Sequence, residues 1–142
     1  MLNIAAGLIL RPRDLAKFGS LYLHGGRWNG QQVLPEDWVS ESTRRRVAAA
    51  ASFDGAQTSV FSWGELGYGY QWWHTRFRTT DGWIEAPTAV GNGEQRVFVV
   101  PALRMVVTIN GGRYNDPTAV DLPERLFVEH ILTALSRSAA SR

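Results

Sequence analysis

Cysteine is absent from this sequence of 142 residues, which excludes disulfides, zinc sites built on thiolates and a cysteine nucleophile. This absence leaves the localisation of the chain open. Lysine is nearly absent: Lys17 is the one lysine, and the residue three positions before it is Asp14. The sequence therefore has no Ser-x-x-Lys pair, in which a serine nucleophile and its basic lysine share one helix face. It also has no Gly-x-Ser-x-Gly nucleophile elbow.

Long apolar runs are missing as well. The longest uncharged, largely apolar run extends from Ile4 to Leu10, far short of the roughly 20 residues that a membrane-spanning helix needs. The first ten residues have no basic leading segment and continue into a helical pattern, so they do not predict a signal peptide. We expect no membrane partner.

The residues that are present have the composition of a folded globular protein. Hydrophobic residues make up 44% of the sequence, aromatic residues 11% and charged residues 20%, which excludes a disordered or collagen-like chain. The length fits a single domain, residues 1–142, with one modest core. The one basic cluster, Arg44 to Arg46, falls where a helix is predicted to end and there complements the helix dipole. We therefore expect no nucleic-acid partner.

Two helices are predicted in the first third of the chain. The first begins at Pro12 and ends at Gly25-Gly26, because proline suits the first helical turn and glycine the position after the last. The second opens at Leu34 to Asp37, with acidic residues in its first turn. Between them lies a predicted turn with Asn29-Gly30 at its tip.

Aromatic and β-branched residues predict four strands. These are Tyr68 to His74, Trp83 to Ala86, Gln95 to Val100 and Met105 to Asn110. The connections Thr79 to Gly82 and Pro101 to Arg104 are short, which predicts antiparallel pairing. The stretch from Ala48 to Ser62 has no clear period and predicts a loop.

A final helix is predicted from about Leu122 to Arg137. Its mostly apolar face consists of Leu126, Phe127, His130, Ile131 and Leu135. On that face His130 is expected to be buried and hydrogen-bonded. Together the elements predict an α+β fold, in which an antiparallel sheet is flanked by helices and the C-terminal helix covers one sheet face.

Histidine and tryptophan are the residue types that suggest a ligand. No two of the three histidines, His24, His74 and His130, have metal-ligand spacing, so we expect no metal site. Six tryptophans could form a sugar-stacking platform, and Trp72 and Trp73 are adjacent. Neighbouring strand residues point to opposite faces, however, so core packing is favoured over carbohydrate binding. A sugar-binding module is the weakest of the functional interpretations.

The most informative short segment is Gly91-Asn92-Gly93-Glu94-Gln95, directly before the apolar strand that continues to Val100. Glycine beside a strand marks a bulge, a turn or a close approach of the backbone to a ligand. Two interpretations stay open at this point: a hairpin bend that needs glycine for steric reasons, and a strand edge that lines a ligand site.

The order of these motifs resembles the C-terminal part of the penicillin-recognising serine hydrolases, which include class C type β-lactamases, related esterases and nylon-oligomer (6-aminohexanoate-dimer) hydrolases. Each motif is weak alone, but their order and spacing together are fairly specific. They are Ala6-Gly7-Leu8, Arg13 to Gly19, Gly25 to Gly30, Leu34-Pro35 through Trp38-Val39, Gly67 to Trp73, Gly91 to Gln95, and Val99-Val100-Pro101.

The resemblance implies the C-terminal portion of a β-lactamase/transpeptidase-like fold, without the helical domain that carries the nucleophile. In that family the serine, its lysine and an assisting tyrosine would lie before Met1, so no catalytic set is complete in this sequence. The candidate residues of the oxyanion strand are Gly91, Asn92, Gly93 and Gln95, and the resemblance implies that the backbone N–H of Gln95 is one oxyanion donor. No cofactor is implied.

In two places the sequence departs from the family pattern, and both departures lower the catalytic activity expected of it. Glu94 stands where the esterase and nylon-hydrolase branch usually has glycine, which places a carboxylate beside the oxyanion strand. The Lys-Thr-Gly triplet of many β-lactamases is absent, which argues against good recognition of β-lactams.

Two functional hypotheses follow from different classes of protein. In the first, the chain is the C-terminal fragment of a serine hydrolase that transfers acyl groups from esters or amides, and it is inactive without the missing N-terminal part. In the second, it is a non-catalytic binding or assembly domain that forms a homo-oligomer through uncovered apolar surface and a strand edge. The missing N-terminal part of the hydrolase is a conceivable further partner.

Overall fold

The computed structural model describes residues 7–48, 64–80, 82–116 and 121–140. The elements before the main sheet are helix α1 (Pro12–Leu23), strands β1 (Arg27–Trp28) and β2 (Gln31–Gln32), and helix α2 (Glu36–Thr43). The main sheet consists of β3 (Val47–Ala48), β4 (Gly64–Tyr68), β5 (Trp73–Thr79), β6 (Gly82–Gly91), β7 (Gln95–Val100) and β8 (Met105–Ile109). A C-terminal helix over residues 122–140 follows.

The six strands of the main sheet lie side by side in the same order as in the chain, β3-β4-β5-β6-β7-β8. Every neighbouring pair is antiparallel. β1 and β2 form a separate two-stranded hairpin. The predicted α+β class, with an antiparallel sheet between helices, is confirmed.

Helix α1 covers one face of the sheet at β7 and β8. It begins at Pro12 and ends before Gly25, as predicted. Gly19 is buried in it, and a Cβ there would lie 2.6 Å from Val106 Cγ1 and 2.8 Å from Val97 Cγ1, so glycine lets the helix approach the strands closely. The cluster beneath α1 consists of Trp72, Val97 and Val99, with Leu15, Tyr22, Leu23, Ala89 and Val106 packed against it.

The C-terminal helix covers the opposite face, as predicted. Its Phe127 is fully buried, and the ring stacks on Phe98 at 4.4 Å between centroids and 5° between planes. Phe77 packs edge-on against both rings, at 5.1 Å from Phe127 and 5.9 Å from Phe98. Ala86, Val100 and Leu132 complete this second cluster. Because both faces of β7 are covered, its residues from Arg96 to Val100 are all buried.

The face that the C-terminal helix buries differs in part from the prediction, because the helix changes its period. Residues Leu126–Leu132 form a π-helical stretch between α-helical ends. A π-helix takes more residues per turn than the 3.6 assumed for the predicted face, so the phase of the pattern shifts. His130 is consequently exposed, which makes its predicted burial wrong, and Leu132 is buried in its place.

The predicted strand from Tyr68 to His74 is wrong as one element, because the chain turns within it. β4 ends at Tyr68, β5 begins at Trp73, and the N–H of Gly69 donates to the carbonyl of Trp72 at 2.8 Å across the turn. Gln71 has φ 62°, outside the strand region. A side chain at position 69 would collide with the backbone carbonyl of Ser42, so this turn requires glycine.

The remaining predicted elements are close to those observed. β6 extends from Gly82 to Gly91, beyond the predicted Trp83 to Ala86. Helix α2 ends at Thr43, and of the basic cluster beyond it Arg44 and Arg46 both pair with Glu41. The loop predicted from Ala48 to Ser62 lies outside the described residues, apart from Ala48 in β3. Within the described ranges, no helix has both the length and the hydropathy to cross a membrane.

Candidate functional site

The segment from Gly91 to Gln95 is the turn that joins β6 to β7, and it is called the 91–95 turn here. Gly91 and Gln95 are paired residues at the end of the two strands. Gly93 has φ +80° and Glu94 φ +66°, and two successive positive φ values are typical of the tight turns that fit the twist of a hairpin. The interpretation as a hairpin bend is therefore correct, and it places the four candidate residues together at one end of the sheet.

The 91–95 turn is bound to the segment 110–115, which follows β8. The side-chain amide of Asn92 donates to Oδ1 of Asn115 at 2.7 Å, and the backbone N–H of Asn115 donates to Oδ1 of Asn92 at 3.1 Å. The Tyr114 ring lies over Gly93, where a Cβ would come within 2.7 Å of the ring. Glycine at position 93 is thus required both by its φ and by the ring above it.

The side chain of Gln95 also binds the turn to the segment 110–115. Its Nε2 donates to the carbonyl of Gly111 at 2.6 Å, and its Oε1 accepts from Nδ2 of Asn110 at 2.9 Å. Both ends of the amide are therefore engaged by the segment after β8. The role predicted for Gln95 concerned its backbone N–H, and that role stays a prediction.

Glu94 is a buried acidic residue within the turn. The residue is 7% exposed, and within the described part of the chain its Oε1 is buried without a hydrogen-bond partner. Its side chain packs beside Gly111, where a Cβ would lie 2.8 Å from Glu94 Cβ. A carboxylate in this position would oppose the build-up of negative charge on a reacting carbonyl oxygen nearby. The departure noted in the sequence thus lies inside the turn.

A buried ion pair lies at the base of the turn. Nε of Arg96 is 2.6 Å from Oε1 of Glu124, and the two side chains are 7% and 2% exposed. Nη1 of Arg96 also donates to the carbonyl of Gln95 at 3.0 Å, with a longer contact of 3.5 Å to that of Gly91. Arg96 therefore contacts the C-terminal helix and both ends of the turn.

Lys17 lies on the exposed surface of α1, where its Nζ pairs with Asp14 at 2.7 Å. One turn further along the helix, Ser20 Oγ is 3.3 Å from Nδ1 of His24. The same Nδ1 lies 2.8 Å from the carbonyl of Ser20, and this contact is a hydrogen bond in the tautomer whose Nδ1 carries the proton. In that tautomer Nδ1 cannot accept a proton from the Ser20 hydroxyl.

Three of the described tryptophans lie in separate environments. Trp72 is buried against Phe18 and Tyr22, Trp38 stacks on Tyr70 at 5.6 Å, and Trp83 lies beneath Arg76 at 5.1 Å. Core packing, favoured from the sequence, is correct for Trp72. Across residues 7–48, 64–80, 82–116 and 121–140, no group of three potential metal ligands is brought together.

A groove of about 350 Å³ lies between α1 and the segment 28–33, and none of its lining residues belongs to the 91–95 turn. It is lined by apolar side chains and one cation: Lys17, Phe18, Leu21, Trp28 and Val33. This groove was not predicted from the sequence. Neither were Tyr114, Asn115 and the Arg96–Glu124 pair, and the one local signal for any of them was the run of small and polar residues after β8.

Comparison with known proteins identifies the fold. No family model and no curated protein sequence matches this chain. Among solved structures 24 chains match, and one of them is a 6-aminohexanoate-dimer hydrolase-like protein from Bacillus anthracis. It superimposes with a TM-score of 0.55 at 18% sequence identity, over 92% of this chain. The chain spans 29% of the length of that protein, and at this identity the likeness shows a shared fold.

Proposed function

We propose that this chain is the C-terminal portion of a serine hydrolase related to the penicillin-recognising superfamily. The observation that carries the proposal is the shared fold with a 6-aminohexanoate-dimer hydrolase-like protein over 92% of this chain but 29% of the other. The ordered motifs in the sequence point to the same superfamily. The parent chemistry is acyl transfer, in which a serine attacks an ester or amide, an acyl-enzyme forms and water releases it.

In this proposal the 91–95 turn is the oxyanion end of the active-site strand. The N–H of Gln95 is one donor to the tetrahedral intermediate, and the nucleophilic serine, outside this sequence, supplies the other. Removing one such donor typically raises the barrier by about 2.7–4 kcal/mol, so a lone donor without a nucleophile supports almost no catalysis. The carboxylate of Glu94 weakens the site further, because it lies in the turn that would hold the oxyanion.

We expect the purified chain to be unreactive towards a fluorophosphonate probe and towards activated esters. The sequence has no Ser-x-x-Lys pair, and the one serine–histidine contact on α1 has its Nδ1 engaged with a carbonyl. The measurement is intact mass after incubation with the probe, with ester hydrolysis followed in parallel. A complete serine hydrolase treated in the same way is the control for probe quality.

A mass increase corresponding to one probe on a serine would contradict the proposed inactivity, as would turnover that is lost when that serine is changed to alanine. Turnover that appears only when a polypeptide carrying the Ser-x-x-Lys helix is added would instead support the proposal. It would also identify that polypeptide as the partner.

The second candidate function is assembly, and the apolar groove on α1 favours it. Phe18, Trp28 and Val33 all belong to the exposed large hydrophobic residues of the chain. Apolar surface grouped in this way, rather than scattered, is a recognised driver of association. In this candidate function the groove of one copy is covered by a second copy, and the domain acts without catalysis.

We expect the chain to form a dimer or larger assembly that Val33→Asp converts to monomer, because a carboxylate in an apolar interface is costly to bury. The measurement is molar mass by light scattering across micromolar concentrations. Leu103→Asp is the control, since Leu103 is an exposed apolar residue, 41% exposed, that lies in the connection between β7 and β8, outside the groove and outside the strands at the sheet edges. A monomeric wild-type chain, or equal loss of assembly in both variants, would remove support for this function.

A further inference from the structure

Arg96 is a buried cation that the predicted chemistry does not use. It lies on β7, one residue after the 91–95 turn, with its side chain 7% exposed. A charged side chain is retained at such a depth only where partners compensate its desolvation. Here Glu124 and the backbone carbonyls of the turn are those partners.

The guanidinium of Arg96 forms hydrogen bonds to two elements, the C-terminal helix and the 91–95 turn. Nε faces Glu124, in the first turn of the C-terminal helix, at 2.6 Å. Nη1 faces the turn, at 3.0 Å from the carbonyl oxygen of Gln95 and 3.5 Å from that of Gly91. Since a peptide unit is planar, holding the carbonyl of Gly91 fixes the direction of the Asn92 N–H, and holding that of Gln95 fixes the N–H of residue 96. Arg96 therefore orients the peptides that flank the turn.

Glu124 is itself fixed by its surroundings. It is 1% exposed, follows the buried Pro123 and lies one turn before Phe127, which is locked in the core. Packing thus holds the carboxylate in place. Its Oε1 accepts from the guanidinium, and Oε2 has no hydrogen-bond partner within the described part of the chain. The planar fork of arginine can satisfy the carboxylate and the carbonyls at once, which the single ammonium of a lysine cannot do in the same geometry.

We propose that Arg96 is a positioning residue for the 91–95 turn, which it joins to the C-terminal helix through Glu124. The guanidinium acts on the turn and not on a reacting atom. That Arg96 thereby helps to place an oxyanion donor at Gln95 rests on the proposed function. That it positions the turn does not depend on the proposed function.

The test is backbone amide hydrogen exchange by NMR on the full chain, for the wild type, Arg96→Lys and Glu124→Gln. In Arg96→Lys the closing pair Gly91–Gln95 loses the donor that holds both carbonyls and is expected to fray. The amides of these two residues should then exchange about tenfold faster after correction for global stability, the effect of one lost charge-assisted bond. Val99 and Val106, paired further along β7 and β8, serve as internal reference. Glu124→Gln keeps an acceptor for Nε, so Gly91 and Gln95 should stay close to the wild type.

A second variant keeps the test decisive if Arg96→Lys does not fold. In Arg96→Met/Glu124→Leu the buried charges are removed together, which commonly preserves folding, but no donor remains for the turn carbonyls. Faster exchange at Gly91 and Gln95 in this variant supports the proposal. Exchange like that of the wild type in Arg96→Lys or in the double variant overturns it. Labelling by a fluorophosphonate would overturn the proposed inactivity and leave this exchange result unaffected.

Discussion

Replacing Phe127 by alanine is expected to lower the free energy of unfolding by about 3–5 kcal/mol. The side chain is fully buried, stacks on Phe98 at 4.4 Å and meets Phe77 edge-on at 5.1 Å, so its removal leaves a cavity at the centre of the larger core cluster. It also releases the main contact of the C-terminal helix with the sheet. Urea unfolding followed by circular dichroism measures the change.

The matched control for Phe127→Ala is Leu135→Ala on the same helix. Leu135 is 42% exposed, so its truncation removes little buried surface and should change the stability by less than about 1 kcal/mol. Similar losses in both variants would contradict the helix orientation described above. An unchanged midpoint in Phe127→Ala would show that the helix does not dock through this residue.

Truncating Glu124 to alanine is the second change with a large expected effect, a loss of about 3–5 kcal/mol. The substitution leaves the guanidinium of Arg96 buried without its carboxylate, and a buried charge without a partner is among the costliest defects in a folded protein. Adding Arg96→Met should restore much of the loss, since both charges are then gone. Denaturant unfolding of the two single variants and the double variant gives the coupling energy directly.

The neighbouring pair Arg125–Glu129 provides the control for this cycle. Its atoms are 3.7 Å apart, and its side chains are 53% and 41% exposed, so solvent screens the attraction. Glu129→Ala should therefore change the stability by no more than about 0.5 kcal/mol. A loss for Glu124→Ala as small as that for Glu129→Ala would mean that the Arg96–Glu124 pair is not buried in solution.

Local signals in the sequence were sufficient for much of the fold. Pro12 and Gly25-Gly26 bounded α1, and the apolar run up to Val100 defined β7, because each depends on residues adjacent in the chain. The turn after Tyr68 was missed for a physical reason. Its aromatic residues favour strands, whereas its need for Gly69 comes from the distant carbonyl of Ser42.

In the candidate site, too, features set by adjacent residues could be predicted better than contacts between distant residues. Two glycines within five residues indicated either a hairpin bend or a strand edge at a ligand site, and local information did not decide between the two. The partners of the 91–95 turn could not be predicted in this way, since Asn92 bonds Asn115 across 23 positions and Arg96 bonds Glu124 across 28. Pairs so far apart are selected by the packing of whole elements. The exposure of His130 likewise depended on a change of helical period that no residue type signals.

The strands of the main sheet lie in the same order as in the chain, and this order affects how the domain folds. Each pairing from β4 to β8 closes across a short turn, so little chain entropy is lost before strand contacts form. Sheets built from such sequential hairpins have low contact order and assemble quickly for their size. Helix α1 is different, because it packs on β7 and β8 from the other end of the chain. We therefore expect the slow event in folding to be the docking of α1 on a sheet that has already formed.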